Sequence, residues 1–359
     1  MAPMSDFKTQ FHAQQAEIKT HLTSYFDEQI DQSRTIDAHL VEITSVLKEF
    51  CLRGGKALSP FLLHLAYKVA GGTREEALLP IAGAIELHHK YLLALDDIAD
   101  RDEERYGGPT LEYVYRELLK DEADVEHRAR TLAMFAASHL NGLGKKLLFT
   151  ADFPQDHLIA AHTIMQNEMF RDTLAGWLIH YYQNTKKLTE VTKEEFTKGL
   201  ELVTARYKFD GPFKIGCILA DCSDEQVKTA LATYAKCVGT AFQAYDDILG
   251  LFGDTAKTGK PVGNDLREGK KTLLVQVAYE RCNDEEKKFF ATIIGDAKIT
   301  HEQVLKAAQI ITDTGSLAYS QELAKRMVDE GITALSVLPE SDEKEILKAV
   351  AIYIITREK

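Results

Sequence analysis

The chain has little proline and almost no pattern of β-strands. Only eight of its 359 residues are proline, and the stretches between them carry apolar side chains at helical spacing, as at Phe61, Leu62, Leu65 and Val69. Alternation of apolar and polar residues between turn signals is nearly absent. The sequence therefore predicts an all-α fold, a bundle of long helices joined by short loops.

Cysteines are few, and long apolar runs are missing. The five cysteines are an odd number without a Cys-x-x-Cys pair, which argues against a disulfide framework and favours a reducing compartment. No basic stretch followed by an apolar run marks a signal peptide. No apolar run is long enough to cross a bilayer. We therefore expect a cytoplasmic protein with no transmembrane segment, whose membrane contact, if any, is peripheral.

Basic residues are outnumbered by acidic ones. The chain has 43 Lys and Arg against 55 Asp and Glu, a net charge of −12, which argues against nucleic acid as a partner. Its 45% hydrophobic and 27% charged residues are ordinary for a globular protein with a substantial core. No Pro/Ser-rich linker divides it. We expect one domain over residues 1–359, in which residues 1–45 show helical character only.

Two aspartate-rich motifs follow apolar runs, at residues 96–100 (DDIAD) and 246–250 (DDILG). Carboxylates at the edge of a core need a partner, and basic residues are sparse within both motifs. Hard divalent cations such as Mg²⁺ take carboxylate oxygens and share a substrate phosphate. The motifs therefore indicate a diphosphate held between metal ions. The alternative for the first motif is a solvated acidic helix end paired with Arg101 and Arg105.

The segments around both motifs resemble a known family. Residues 86–110 (ELHHKYLLALDDIADRDEERYGGPT) and 239–275 (GTAFQAYDDILGLFGDTAKTGKPVGNDLREGKKTLLV) are similar to the trans-isoprenyl diphosphate synthases, the polyprenyl synthetase family. The similarity runs from about residue 50 to residue 280 and is strongest to short-chain farnesyl and geranylgeranyl diphosphate synthases. It implies a class I isoprenoid synthase fold, with antiparallel helices around a central apolar cavity, and a homodimer.

The resemblance also implies a set of metal ligands. Asp96, Asp97 and Asp100 would bind Mg²⁺ that bridges an allylic diphosphate. Asp246, with Asp247 supporting it, would coordinate the third of three ions. The family's last aspartate in the second motif is replaced by Gly250 here.

Further residues would contact the allylic diphosphate. By resemblance they are Arg105, Lys208, Gln243, Lys260 and Lys270. Lys208 lies where the family carries a lysine on a kinked helix, and the following Gly-Pro pair is a physical reason for a kink. These cations would neutralise charge on the departing diphosphate. We nominate no separate catalytic base, because released pyrophosphate can take the proton.

The pocket for the second substrate, isopentenyl diphosphate, departs from the family. Lys56 and His89 match two expected contacts, but Ser59 and Tyr106 stand where the family has arginines. If each charged contact contributes about 1.5–3 kcal/mol, their loss weakens binding by about 10²–10⁴-fold. Arg53 or Lys90 is a candidate substitute.

The sequence thus predicts a Mg²⁺-dependent prenyltransferase that condenses an allylic diphosphate with isopentenyl diphosphate to a C15–C20 product. Tyr91, five positions before Asp96, would limit chain length, with simple core packing as the alternative role. Two other functions stay open. A class I terpene synthase on the same scaffold would need no isopentenyl diphosphate. A non-catalytic regulatory subunit would have no need to keep its metal ligands.

Overall fold

The computed structural model describes residues 2–191, 195, 198–199, 201–253 and 262–357. Most of them are helical, which confirms the predicted all-α class. The strands in these ranges are β1 (Glu104–Arg105) and β2 (Gly108–Pro109), which form an antiparallel hairpin. None of the described helices is both long and apolar enough to span a bilayer.

The described α-helices run in chain order as follows: α1 (Ala2–Arg34), α2 (Ala38–Leu52), α3 (Leu58–Val69), α4 (Leu79–Asp100), α5 (Leu111–Leu118), α6 (Val125–Leu148), α7 (Gln155–Ile164), α8 (Asp172–Asn184), α9 (Gly211–Leu219), α10 (Glu225–Phe252), α11 (Asn264–Arg267), α12 (Leu273–Arg281), α13 (Asp284–Ile293), α14 (His301–Asp313), α15 (Ser316–Ala334) and α16 (Asp342–Ile354). Two π-helical segments, Met165–Arg171 and Glu201–Asp210, precede α8 and α9. Short 3₁₀ turns cover Glu75–Leu78, Leu188–Glu190 and Leu335–Val337.

These elements group into two compact units. The first comprises Met1–Thr163 with Ile215–Cys222, and the second comprises Ile164–Lys214 with Ser223–Lys359. The first aspartate motif belongs to the first unit and the second motif to the second unit. That the whole chain is one domain stays a prediction.

Helix α4 is central to the first unit, where it packs against α1, α3 and α6. Its apolar face is fully buried, as at Ile85 and Leu87. The two helices are in close contact at Gly144 on α6, where a Cβ would lie 3.4 Å from Leu87 Cβ. The Tyr25 hydroxyl donates to the Leu143 carbonyl at 2.8 Å and joins α1 to α6. This packing fixes the helix that carries the first motif.

Helix α10 has the same role in the second unit. It packs against α15, α16 and the π-helical segment 201–210. Asp224 caps its N-terminus by accepting from the Gln226 amide at 2.8 Å. The buried Tyr234 hydroxyl donates to the Leu347 carbonyl at 2.6 Å and ties α10 to α16. A Cβ at Gly239 would lie 2.7 Å from Ala205 Cβ, so the π-helical segment lies almost against the α10 backbone.

Candidate active site

The first motif occupies the last turn of α4, where negative charge is unfavourable for the helix. Asp96, Asp97 and Asp100 all lie near its C-terminus, and no basic residue occurs in that turn. Carboxylates there oppose the helix dipole, which favours cations at this end. Asp97 is only 2% exposed, whereas Asp96 keeps 30% of its side chain in solvent. The turn therefore requires positive charge from elsewhere.

Arg105 on β1 supplies part of that charge. Its Nε donates to Asp97 Oδ1 at 2.7 Å, and its Nη2 donates to the same oxygen. The same Nη2 lies 3.3 Å from Asp96 Oδ2 and 3.4 Å from Asp102 Oδ2. One guanidinium thus serves three carboxylates, and negative charge remains in excess. The alternative interpretation of the first motif is an acidic helix end paired with Arg101 and Arg105. The structure contains the ion pairs with Arg105.

The second oxygen of Asp97 is left unsatisfied by the described residues. Asp97 Oδ2 is buried and has no hydrogen-bond partner among the described residues. Burial raises the pKa of Asp97 to about 6 against the opposing effect of Arg105, and Asp96 and Asp102 raise it further. A carboxylate in this position is short of positive charge. Its donor chemistry, oxygen only, suits Mg²⁺.

The hairpin that presents Arg105 turns through Tyr106 and Gly107. Both have positive φ, 55° and 71°, as a two-residue hairpin loop of type I′ requires. Tyr106 is an unusual side chain for that conformation. Its ring lies under Lys90, whose Nζ is 4.4 Å from the ring centroid, and a Cβ at Gly54 would be 2.9 Å from Tyr106 Cβ. The residue at the family's arginine position is thus packed against α4 and the Gly-Gly loop.

The two candidate substitutes for the missing arginines are engaged with the backbone. The Lys90 ammonium is fully buried, donates to the Gly54 carbonyl and lies 3.6 Å from Glu86 Oε1. Arg53 Nη1 donates to the Pro109 carbonyl at 2.7 Å. Both side chains therefore hold the loop and the hairpin in place, and neither head group is presented as a free phosphate contact.

The other residues expected near the second substrate lie around α3 and α4. Lys56 is in the loop before α3, where its carbonyl accepts from Gln15 Nε2. Ser59 is buried in the first turn of α3. His89 is partly exposed on α4. Tyr91, 9% exposed, lies 6.1 Å from the His88 ring by centroids, and burial raises its pKa.

The second motif lies on α10, and its inner aspartate is buried. Asp247 is 7% exposed, and Gln243 Nε2 donates to its Oδ1 at 2.9 Å. Thr204 donates to the other end of the Gln243 amide and fixes its orientation. Burial first, then Asp265 and Asp246, raises the pKa of Asp247 well above its usual range, against the hydrogen bond from Gln243. This carboxylate, too, lacks sufficient positive charge around it.

Asp246 has a partner that sequence reasoning missed. Arg357, 111 positions away, donates from Nη2 to Asp246 Oδ1. Its guanidinium carbon lies 3.7 Å from the centroid of the Phe242 ring, and Lys208 Nζ lies 4.2 Å from the same centroid. No local signal marks Arg357, because its partner is on a distant helix. The structure therefore groups Lys208, Arg357 and Asp246 around one aromatic ring.

Gly250, which replaces the family's last aspartate, has a carboxylate beside it. A Cβ at this position would lie 2.8 Å from Asp265 Oδ2. Lys270 Nζ is 3.7 Å from Asp265 Oδ1 and 2.5 Å from Glu268. Lys260, one of the predicted diphosphate contacts, lies outside the described residues. Within the described ranges, no group of three or more Asp, Glu, His or Cys side chains has the geometry to hold a metal ion.

Comparison with known proteins agrees with this arrangement. Residues 41–311 match the model of the polyprenyl synthetase family. The chain is 31% identical over 346 residues to a geranylgeranyl diphosphate synthase of Methanosarcina mazei, covering 94% of this chain and 99% of the relative. It is 33% identical to a geranylfarnesyl diphosphate synthase of Aeropyrum pernix, covering 85% of this chain and 91% of the relative.

A solved structure is similar as well. A geranylgeranyl pyrophosphate synthase from Corynebacterium glutamicum, complexed with isoprenyl diphosphate and magnesium, superposes with a TM-score of 0.89 at 25% identity over 96% of this chain and 99% of that one. The helical fold is therefore that of the class I isoprenoid synthases. The chain belongs to the polyprenyl synthetase family, which confirms the resemblance, and its enzyme class is that of the trans-prenyltransferases.

Proposed function

We propose that the protein is a Mg²⁺-dependent prenyltransferase that condenses an allylic diphosphate with isopentenyl diphosphate to a C15–C20 isoprenyl diphosphate. The observation that carries this proposal is the buried Asp97 carboxylate, which has one oxygen without a partner among the described residues beside a single shared arginine. Similarity to synthases named for geranylgeranyl and geranylfarnesyl diphosphate supports the substrate class.

Two groups of carboxylates would hold magnesium, and we propose three ions. Asp96, Asp97 and Asp100 on α4 form one group, and Asp246 with Asp247 on α10 forms the other. When bound, the metal neutralises the charge that grows on a departing diphosphate. The oxygen-only donor sets and the raised pKa values of Asp97 and Asp247 support this assignment.

The chain's own cations would bind and orient the allylic diphosphate. Arg105 is fixed by the hairpin, and Lys208 lies over Phe242. Lys260 and Lys270 would add charge, and Gln243 would donate a hydrogen bond. Preorganised cations of this kind stabilise the leaving group without reorganising during the reaction. The allylic carbon then accepts electrons from the isopentenyl double bond, and released pyrophosphate takes the proton.

Lys56 and His89 would bind isopentenyl diphosphate, and Tyr91 would close the product cavity. Support for Tyr91 comes from its burial on α4, five residues before Asp96. Simple core packing is the alternative for this side chain.

A class I terpene synthase is the second candidate. Buried Ser59, and Tyr106 packed under Lys90, favour it, because neither offers a charge to a second diphosphate. A product assay with Mg²⁺ and C5, C10, C15 and C20 allylic diphosphates, with and without isopentenyl diphosphate, separates the functions. Elongated diphosphates that form only with isopentenyl diphosphate support the synthase. Hydrocarbon or alcohol without it supports the terpene synthase, and no turnover with any substrate supports a regulatory subunit.

We propose a homodimer on the surface of α6. Met134 and Phe135, neighbours on this helix, are 52% and 59% exposed, and adjacent large apolar side chains in solvent favour association with a second copy. Light scattering after size exclusion should give twice the 40.2 kDa chain mass. Phe135→Glu should give the monomer mass with the helical circular dichroism unchanged, and a wild-type monomer would contradict the proposal.

A further inference from the structure

In the described part of the chain, the side chain of Arg357 ties the segment after α16 to α10. The amides of Ile355 and Thr356 donate to the carbonyls of Ile352 and Tyr353 in the last turn of α16. Arg357 then extends to α10, where its side chain is 1% exposed. It donates to Asp246 Oδ1 and, at 3.3 Å, to the Phe242 carbonyl. The position of this segment therefore depends on the contacts that Arg357 makes with Asp246 and Phe242.

Asp246 is accessible from solvent although its arginine partner is not. The aspartate side chain is 46% exposed, so a dissolved cation reaches it without opening the core. The guanidinium, in contrast, is stacked on Phe242 with its carbon 3.7 Å from the ring centroid. A metal ion at Asp246 would place a second positive charge beside a cation that is shielded from water, where repulsion is strong. The two cations therefore repel each other at this carboxylate, and each weakens the contact of the other.

The guanidinium is incompletely satisfied where it lies. Arg357 Nε is buried and has no hydrogen-bond partner among the described residues. An unsatisfied buried donor costs free energy that is recovered when the group reaches water. Lys208, 4.2 Å from the centroid of the same ring, adds like charge to this location. Release of Arg357 is thus favoured once Asp246 has another cation.

We propose that Arg357 is an internal competitor of divalent metal at Asp246, so that metal binding releases the segment after α16 and this segment lowers metal affinity. The inference rests on the proposed function, because it takes Asp246 as a metal ligand. Removal of one charge-assisted contact corresponds to about a 10- to 100-fold change in affinity. Arg357 is accordingly a positioning residue that acts through Asp246.

The test measures metal binding and the mobility of the segment separately. Mn²⁺ binding is followed by electron paramagnetic resonance on the full chain without diphosphate, and hydrogen exchange of a peptide covering residues 350–357 is measured with and without MgCl₂. Arg357→Gln should raise Mn²⁺ affinity about 10- to 100-fold and make exchange fast at all Mg²⁺ concentrations. In the wild type, Mg²⁺ should accelerate exchange in this peptide. Asp246→Asn should remove that response.

Controls separate the possible failures. Arg326→Gln changes an exposed arginine paired within its own helix and should leave both readouts at wild-type values. Arg357→Lys keeps the charge but not the planar stacking, so its Mn²⁺ affinity and exchange rate should lie between those of the wild type and Arg357→Gln. This variant replaces Arg357→Gln in the test if the Gln variant does not fold. If Mn²⁺ binds at Asp246 but hydrogen exchange of the peptide 350–357 does not change with Mg²⁺, the proposed competition is wrong and the proposed function stands. Equal Mn²⁺ stoichiometry in the wild type and Asp246→Asn would overturn both.

Discussion

The ammonium nitrogen of Lys90 lies 4.4 Å from the centroid of the Tyr106 ring. This contact connects α4, which carries the first aspartate motif, to the hairpin that presents Arg105. It also explains how tyrosine is tolerated at a φ of 55°. A left-handed residue costs about 1–2 kcal/mol, and a cation–π contact between the buried Lys90 and the 41% exposed Tyr106 ring contributes about 1 kcal/mol. The hairpin conformation is therefore stabilised from outside the hairpin.

Tyr106→Leu should destabilise the protein and loosen Arg105. The leucine keeps the strained backbone but removes the ring beneath Lys90, so we expect the free energy of unfolding to fall by about 1 kcal/mol. The KM for the allylic diphosphate should rise because Arg105 is held less firmly. Urea unfolding and steady-state kinetics measure the two effects. Tyr181→Leu, at a 69% exposed position, is the control, and equal effects in both variants would contradict this role of Tyr106.

Asp97→Asn should abolish Mg²⁺-dependent turnover. Loss of residues that only support a metal ligand already costs about 10–100-fold, so loss of a ligand should cost at least 10²-fold. The same variant leaves Arg105 without its principal partner. Asp31→Asn, in a solvent-exposed pair with Arg34 on α1, is the matched control. Activity within a factor of two of the wild type would remove Asp97 from the metal site.

Without metal, ionisation of Asp97 should make stability fall as pH rises. The folded-state pKa of Asp97 is about 6, above the usual value of about 3.9, so the folded protein holds this proton more tightly than the unfolded chain. The stabilisation is complete below about pH 4 and is lost as pH rises through about 6. At 1.36 kcal/mol per pKa unit it amounts to at most about 3 kcal/mol.

Urea unfolding of the wild type and Asp97→Asn at several pH values measures this effect. The difference in unfolding free energy between the two should decrease from pH 4 to pH 7 in EDTA, because asparagine does not titrate. Saturating Mg²⁺ should offset the decrease by binding the ionised carboxylate. A difference that is constant or that rises with pH in EDTA would contradict the expected shift.

Gly250→Asp should destabilise the second motif, although it recreates the family's aspartate. A Cβ at this position would lie 2.8 Å from Asp265 Oδ2, so an aspartate there would both crowd the Asp265 carboxylate and place a like charge beside it. We expect a lower Tm and no gain in turnover. Gly250→Ala measures the steric part alone, and adding Asp265→Asn to Gly250→Asp should recover part of the loss. Tighter Mn²⁺ binding by Gly250→Asp would show that the position still accepts a ligand.

Tyr91→Ala should shift the products to longer chains. The ring is buried on α4, and its removal opens volume five residues before Asp96. Chromatography of dephosphorylated products after reaction with farnesyl diphosphate and isopentenyl diphosphate would measure the shift. Tyr91→Phe keeps the bulk and should keep the wild-type products. An unchanged distribution in Tyr91→Ala, with the fold intact, would assign Tyr91 to core packing.

Local sequence patterns were sufficient to predict the fold class and those site contacts that join residues close together in the chain. Helical periodicity depends on neighbours three and four residues apart, so the all-α class followed from the sequence and is confirmed. Asp96, Asp97 and Arg105 lie within ten residues of one another, so their association was also predictable. Gln243 and Asp247 are one helical turn apart and hydrogen-bond as that spacing allows.

The sequence by itself determined the helices, the family and the carboxylates that we propose as metal ligands, because each depends on residues close together in the chain. Tertiary structure alone decided the contacts that these motifs make with residues distant in the chain. Arg357 reaches Asp246 across 111 positions, Tyr106 lies beneath Lys90, and Asp265 stands beside Gly250. Such contacts depend on how helices pack, and packing is set by burial of whole apolar faces rather than by any short motif.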